Sequence, residues 1–229
     1  MIKNTTEYKM NYVKEMRMDH IHSMKIDSSD ATTYMCLLGK ACGTDKTPLN
    51  DKGHRHPYTA IYSLLFSRFA FQPVRFAEIG IAGGASGLLW RHFFSKGQLY
   101  LFDRDENYIN NLKNYSMPDL VAAKMDVADT TSIHNALAET GGNLDILLDD
   151  SSHGFEDQIR IIHAGIPFVS PGGMIIIEDV FRQTSEDDYR KALEDVMHHF
   201  SFATFIIADH TNRWSGTWDN DKLLVLIKK

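Results

Sequence analysis

The stretch RFAEIGIAGGAS (Arg75–Ser86) reads as an apolar strand that runs into a glycine turn and opens a helix. Downstream of it, short apolar runs alternate with amphipathic stretches. Strands are predicted at 75–80, 98–103, 121–126, 144–149, 173–179, 203–209 and 222–229, and helices at 84–94, 106–115, 131–140, 154–169 and 187–200. That alternation is the pattern of βαβ units on a parallel sheet covered on both faces. The last two strands are separated only by HTNRWSGTWDND (210–221), so the final strand is expected to turn back antiparallel. The fold class is therefore α/β: a doubly wound, Rossmann-like, seven-stranded and mostly parallel sheet with an antiparallel last strand.

Upstream, residues 1 to about 50 are polar and rich in Met. One weakly periodic piece, YMCLLGKAC (34–42), is followed by Gly43 as a helix stop. The expected division is a short N-terminal helical cap and lid over 1–59 and a cofactor-binding domain over 60–229. The 229 residues suffice for one substantial core. A formal net charge of -6 gives no basic field for nucleic acid or acidic lipid. With only Cys36 and Cys42, no apolar leader segment and no run long enough to span a bilayer, a soluble protein of the reducing cytoplasm is expected.

Glycines in the 80–84 turn let a ligand approach the backbone, which puts Gly80 and Gly84 at a nucleotide-type cofactor. Asp103 ends the next strand 19 residues beyond Gly84, where a carboxylate can hold the two ribose hydroxyls of an adenosine. Glu78 separates the candidate cofactors. Two residues before the first glycine, it would set like charges against the pyrophosphate of NAD but would attract the sulfonium and ammonium of S-adenosylmethionine. Asp126 ends the third strand in reach of an adenine amino group, or serves there as an N-cap carboxylate.

A second constellation collects at the carboxyl ends of the fourth and fifth predicted strands. Asp149-Asp150-Ser151-Ser152-His153 and Glu178-Asp179 bring four carboxylates and a His to the edge where open parallel sheets bind ligands. These segments contain no Lys or Arg before Arg160 and Arg182, so either the acids serve as helix N-caps and solvated strand ends or, the preferred reading, their repulsion is relieved by a hard divalent cation, Mg²⁺ or Mn²⁺. Such an ion keeps coordination positions open for water or substrate hydroxyls. Asp149 is assigned to the cofactor side. Trp214 and Trp218 can stack on a ring of the substrate or simply pack in a hairpin, and His54, His56 and Tyr58 can form a lid over the acceptor.

Together, GTDK (43–46) with His56 and Tyr58, the EIGIAGGAS turn, Asp103, DDSSH and IIEDV resemble the macrolide-sugar O-methyltransferases of the macrocin and mycinamicin type. The likeness runs from about Gly39 to Asp179. It implies a class I S-adenosylmethionine-dependent methyltransferase in which Asp150, Glu178 and Asp179 ligate Mg²⁺ and His153 is the general base. It also implies that Thr44 and Ser86 help hold the methionine end of the cofactor. The acceptor would be a small molecule or glycan, a deoxyhexose such as rhamnose being preferred, and a homo-oligomer is possible. The segments 47–58 and 210–221 match nothing in that pattern, and the auxiliary N-terminal domain that some members carry is not expected in this sequence.

Other chemistries stay open on the residues alone. A catechol-type methyltransferase would share metal and fold, and a non-heme iron oxygenase could use two carboxylates and a His. A cofactor-binding regulatory domain is the non-enzymatic alternative. An NAD-dependent dehydrogenase is disfavoured by Glu78 and by the lack of a Tyr-x-x-x-Lys pair.

Overall fold

In the computed structural model, which describes residues 20–115 and 117–229, the chain folds around one eight-stranded sheet. Its strands are β1 (His22–Asp27), β2 (Val74–Ile79), β3 (Gly97–Asp103), β4 (Leu120–Lys124), β5 (Leu144–Asp149), β6 (Val169–Ile177), β7 (Phe200–Asp209) and β8 (Lys222–Lys228). The helices are α1 (Tyr34–Cys42), α2 (Tyr58–Leu65), α3 (Ala85–Phe93), α4 (Glu106–Lys113), α5 (Thr130–Ala138), α6 (Phe155–Gly165) and α7 (Glu186–Ala192). Short polar side chains start several of them. Thr33, Asp105, Asp129 and Ser185 each accept a hydrogen bond from a backbone N–H in the first turn of the following helix. Gly43, at φ 73°, ends α1.

The strand order is β1-β7-β8-β6-β5-β2-β3-β4. All pairings are parallel except those of β8, which runs antiparallel to both β6 and β7. Eight strands form rather than the seven expected. The extra one is β1, which pairs in parallel with β7 at the sheet edge. Its sequence, HSMKID, is largely exposed and offers only Met24 and Ile26 as alternating apolar residues, too short a pattern to announce a strand. Residues 1–19 of the expected cap lie outside the described residues.

The chain leaves β2 in one direction, toward β3 and β4, and later builds β5 and β6 on the other side. The reversal between β2 and β5 opens a crevice at their carboxyl ends. The period of two along each strand assigns side chains to faces. Ala77, Ile79, Leu147, Ile175 and Ile177 join the core beneath α5 to α7. Phe76, Leu148 and Ile176 join the other core, with Tyr58, Tyr62, Phe66 and Trp90. Extended by one step, the second face carries Glu78, Asp150 and Glu178, and the first carries Asp149. No helix among the described residues is long and apolar enough to cross a membrane.

Candidate active site

A cleft of about 550 Å³ lies over the β2–β5 crevice. Its floor is the glycine turn. Gly80, at φ 88°, has no room for a side chain, because a Cβ there would overlap the Asp150 carbonyl. Ala82, at φ 38°, continues the turn in the same left-handed region. Asp103 fixes it: Oδ2 accepts from the N–H groups of Ile81 (3.0 Å) and Ala82 (3.1 Å), and Oδ1 accepts from that of Asp105 (2.9 Å). A carboxylate offers about four acceptor sites, so one remains for a ligand.

Thr44, Gly80, Ser86, Asp103 and Asp126 all line the cleft. Asp126 also accepts from the Ala128 N–H at 3.0 Å, as a strand-end carboxylate does. At the same end stand Tyr108, Met125 and Val127, which sequence reasoning did not single out. Their apolar surfaces suit a flat ring.

Three residues assigned to the cofactor do not stand in this wall. Gly84, at φ 83°, instead forms the N-cap of α3. Asp149 points to the opposite face, 1% exposed, and accepts from the Ser151 hydroxyl at 2.6 Å. Burial raises its carboxyl to about 7. Glu78 is 0% exposed and lies beneath the turn, accepting from the Ser86 hydroxyl at 2.8 Å. Burial raises its carboxyl to about 7 against the opposing pull of Lys46. It therefore borders the cleft only through Ser86, which lines it.

Lys46 corrects the sequence reading of the acidic cluster. Two of the four carboxylates, Asp150 and Glu178, are compensated, because Lys46, 1% exposed, extends its ammonium between them and Glu78. Nζ contacts Asp150 Oδ2, donates to Glu178 Oε2 at 2.6 Å and lies 3.5 Å from Glu78 Oε1. Burial works against the charged ammonium, but Asp150, Glu178 and Glu78 outweigh it and raise Lys46 well above an ordinary lysine. The Lys46 carbonyl accepts from the N–H groups of Tyr58 (3.1 Å) and Thr59 (3.0 Å), which anchors the loop to the start of α2.

From α2, Tyr58 and Tyr62 stand one turn apart and reach neighbouring acids. Tyr62 donates to Glu178 Oε1 at 2.5 Å, and Tyr58 donates to Asp179 Oδ1 at 2.6 Å. Both oxygens of Glu178 are thus engaged. Expected as a metal ligand, Glu178 is not among the atoms that converge on a cation site.

Those that do converge belong to Asp150, His153 and Asp179, each with a ligand atom within 4.8 Å of the others. His153 Nε2 stands 3.5 Å from Asp179 Oδ2, and its Nδ1 is buried without a hydrogen-bond partner. The two carboxylates suit a divalent cation with open positions for substrate oxygens, and the imidazole stands beside them within reach of such an oxygen. A second set, Asp45, His54 and His56, also converges. In it, however, His56 Nδ1 lies 2.8 Å from Asp221 Oδ1, and although burial opposes its charge, Asp179 and Asp221 raise it to about 9. A protonated imidazole has no lone pair for a metal.

His56 and Tyr58 were expected at the acceptor. Both are buried, at 3% and 0%, and turn toward Asp221 and Asp179, so they orient the acids instead. Trp214 and Trp218 remain 48% exposed. Arg55 and Trp214 pair their backbones in a β-bridge, which joins the 47–58 and 210–221 segments. His54 sits between the two indoles, 5.8 and 6.0 Å from their centroids, and Trp218 lies 6.1 Å from His153. An aromatic wall thus reaches the cation cluster from outside, and the cleft reaches it from inside through Asp150.

The glycine turn, the acid at the end of β3 and the antiparallel β8 give the chain the class I methyltransferase fold. In sequence it is similar to the macrolide-sugar O-methyltransferases. It is 30% identical over 194 residues to 8-demethyl-8-alpha-L-rhamnosyl tetracenomycin-C 2'-O-methyltransferase of Streptomyces olivaceus, covering 72% of this chain and 50% of that one. It is 32% identical over 178 residues to demethylmacrocin O-methyltransferase of Streptomyces fradiae, covering 71% and 43%. The chain thus spans about half the length of these curated relatives. A solved structure of MycE methyltransferase from the mycinamycin biosynthetic pathway, in complex with Mg, SAH and mycinamycin VI, superposes with a TM-score of 0.63 at 22% identity, over 86% of this chain and 54% of that one. No known family model matches the chain.

Proposed function

We propose that the chain is a metal-dependent O-methyltransferase of the cytoplasm that transfers a methyl group from S-adenosylmethionine to a hydroxyl of a sugar, a deoxyhexose free or within a glycoside. The observation that carries this reading is the sharing of Asp150 between the cleft and the cation cluster. A donor in the cleft and a hydroxyl on the cluster are then adjacent reactants, and such placement supplies much of the rate. When bound, S-adenosylmethionine supplies the methyl, whose bond to sulfur breaks with its electron pair staying on sulfur, and the metal supplies positive charge that acidifies the hydroxyl.

The residues of the chain do the rest. Asp103 and Asp126 orient the adenosine end, Thr44 and Ser86 the methionine end, and Glu78 adds negative potential beneath the sulfonium. Asp150 and Asp179 would hold the metal, Asp179 being oriented by Tyr58. His153 accepts the hydroxyl proton at a ring nitrogen. Trp218 and Trp214 offer flat apolar faces, which suit the C–H face of a pyranose beside His153.

The names of the relatives, with their rhamnosyl and macrocin acceptors, support a sugar over an aromatic diol. The test is an acceptor screen with S-adenosylmethionine and Mg²⁺ over deoxyhexoses, their glycosides and catechols. Methylation of a sugar hydroxyl is expected. Transfer to catechols alone would replace the sugar reading with the aromatic one.

A further inference from the structure

Two aromatic side chains approach Oδ1 of Asp179. Tyr58 donates to it at 2.6 Å, whereas His56 Nδ1 stands 3.7 Å away, too far for a hydrogen bond. Nδ1 lies instead 2.8 Å from Oδ1 of Asp221, which is 0% exposed and whose Oδ2 accepts from Arg213 at 2.9 Å. Burial works against the charge of Asp221, but His56 and Arg213 outweigh it and hold the carboxyl below the ordinary carboxylate range. An ionised carboxylate can only accept, so His56 Nδ1 carries the proton, and that one N–H lies between two acids.

We propose that Asp221 is a positioning residue for the metal site: it holds the Nδ1–H of His56 and so keeps this ring off Asp179, which is left to the cation. The inference rests on the reading of Asp179 as a cation ligand. Asp221 is well placed for the task, because the preceding carbonyl, that of Asn220, accepts from Tyr58 at 3.1 Å and fixes the chain beside Asp179. Without the charge of Asp221, the acid nearest to the His56 N–H is Asp179, and a metal must then displace a buried, charge-assisted hydrogen bond. The damage from losing Asp221 should therefore disappear when His56 is lost as well. A buried acid with a merely structural role gives no such rescue.

Mn²⁺ is the probe, its affinity read from the electron paramagnetic resonance signal of the free ion, with the full chain and without turnover. His56 stacks on Tyr58, ring centroids 5.2 Å apart and planes 11° apart, and a phenyl ring can keep that stack. Asp221→Asn is expected to weaken Mn²⁺ binding by at least about fivefold more with His56 present than in the His56→Phe background. Any long-range effect of the lost charge acts in both backgrounds and cancels in the comparison. His56→Phe alone should bind Mn²⁺ as tightly as the unaltered chain or tighter, and this arm does not depend on the folding of Asp221→Asn. An equal effect of Asp221→Asn in both backgrounds, or weaker Mn²⁺ binding by a folded His56→Phe, overturns the inference alone. An unaltered chain that binds no Mn²⁺ overturns the metal reading and the inference with it.

Discussion

His153 and Asp179 both adopt left-handed backbone conformations, at φ 58° and 55°, which non-glycine residues rarely do. Strain of this kind persists where the surroundings over-determine it. Here it points the two side chains at each other across the ends of β5 and β6. Replacing His153 by Ala is expected to lower turnover by roughly 10²-fold or more while S-adenosylhomocysteine affinity, read by calorimetry, stays within about twofold. An Ala variant with normal turnover would remove His153 from the role of base.

His56 makes a prediction about pH. Its imidazolium is held by Asp179 and Asp221 up to about 9, against an ordinary value of 6.5. A raised value means stability that is complete below about pH 6.5 and is lost as pH rises through about 9. The shift corresponds to on the order of 3 kcal/mol. The buried carboxyls of Glu78 and Asp149, raised to about 7, and those of Asp150 and Glu178, also raised by burial, lose stability over an overlapping range. The fall in the urea midpoint between pH 7 and 9 should therefore be smaller in His56→Gln. An equal fall in both proteins would show that His56 does not hold its proton there.

At the scale of elements, the proposed function rests on the β2–α3 turn and the paired loops. Gly80→Ala combines a left-handed φ with overlap on the Asp150 carbonyl. It should lower unfolding free energy by at least about 2 kcal/mol and weaken donor binding, measured by urea titration and calorimetry. Trp218→Ala should raise the acceptor KM by roughly three- to tenfold with kcat little changed. An unaffected KM would assign the indole to packing.

Sequence patterning announced these elements unevenly. The alternation from Val74 onward marked β2 to β8 because buried parallel strands are almost continuously apolar. It missed β1, whose exposed edge position imposes no such pattern. The acids were visible as pairs at strand ends, but period two sends Asp149 and Asp150 to opposite faces, so a pair in sequence is not a pair in space. Applied to Glu78, Asp150 and Glu178, the same rule would have located the shared face. Lys46 lay beyond it, 104 residues from Asp150, since no local spacing relates a loop lysine to a strand end it meets only through the fold. Tyr62 had a faint signal, one helical turn after Tyr58.

For the molecule as a whole, the acidic balance and the site agree. A net charge of -6 suits a donor carrying a sulfonium and an ammonium and a divalent metal, and gives no attraction to a phosphate polymer. The most direct measurement supplies S-adenosylmethionine with an isotopically labelled methyl, Mg²⁺ and a deoxyhexoside acceptor, then repeats the reaction with excess EDTA. The account predicts label on a sugar oxygen with the metal and none with the chelator. Full transfer in EDTA, or labelled donor left intact across the whole acceptor panel, would contradict it.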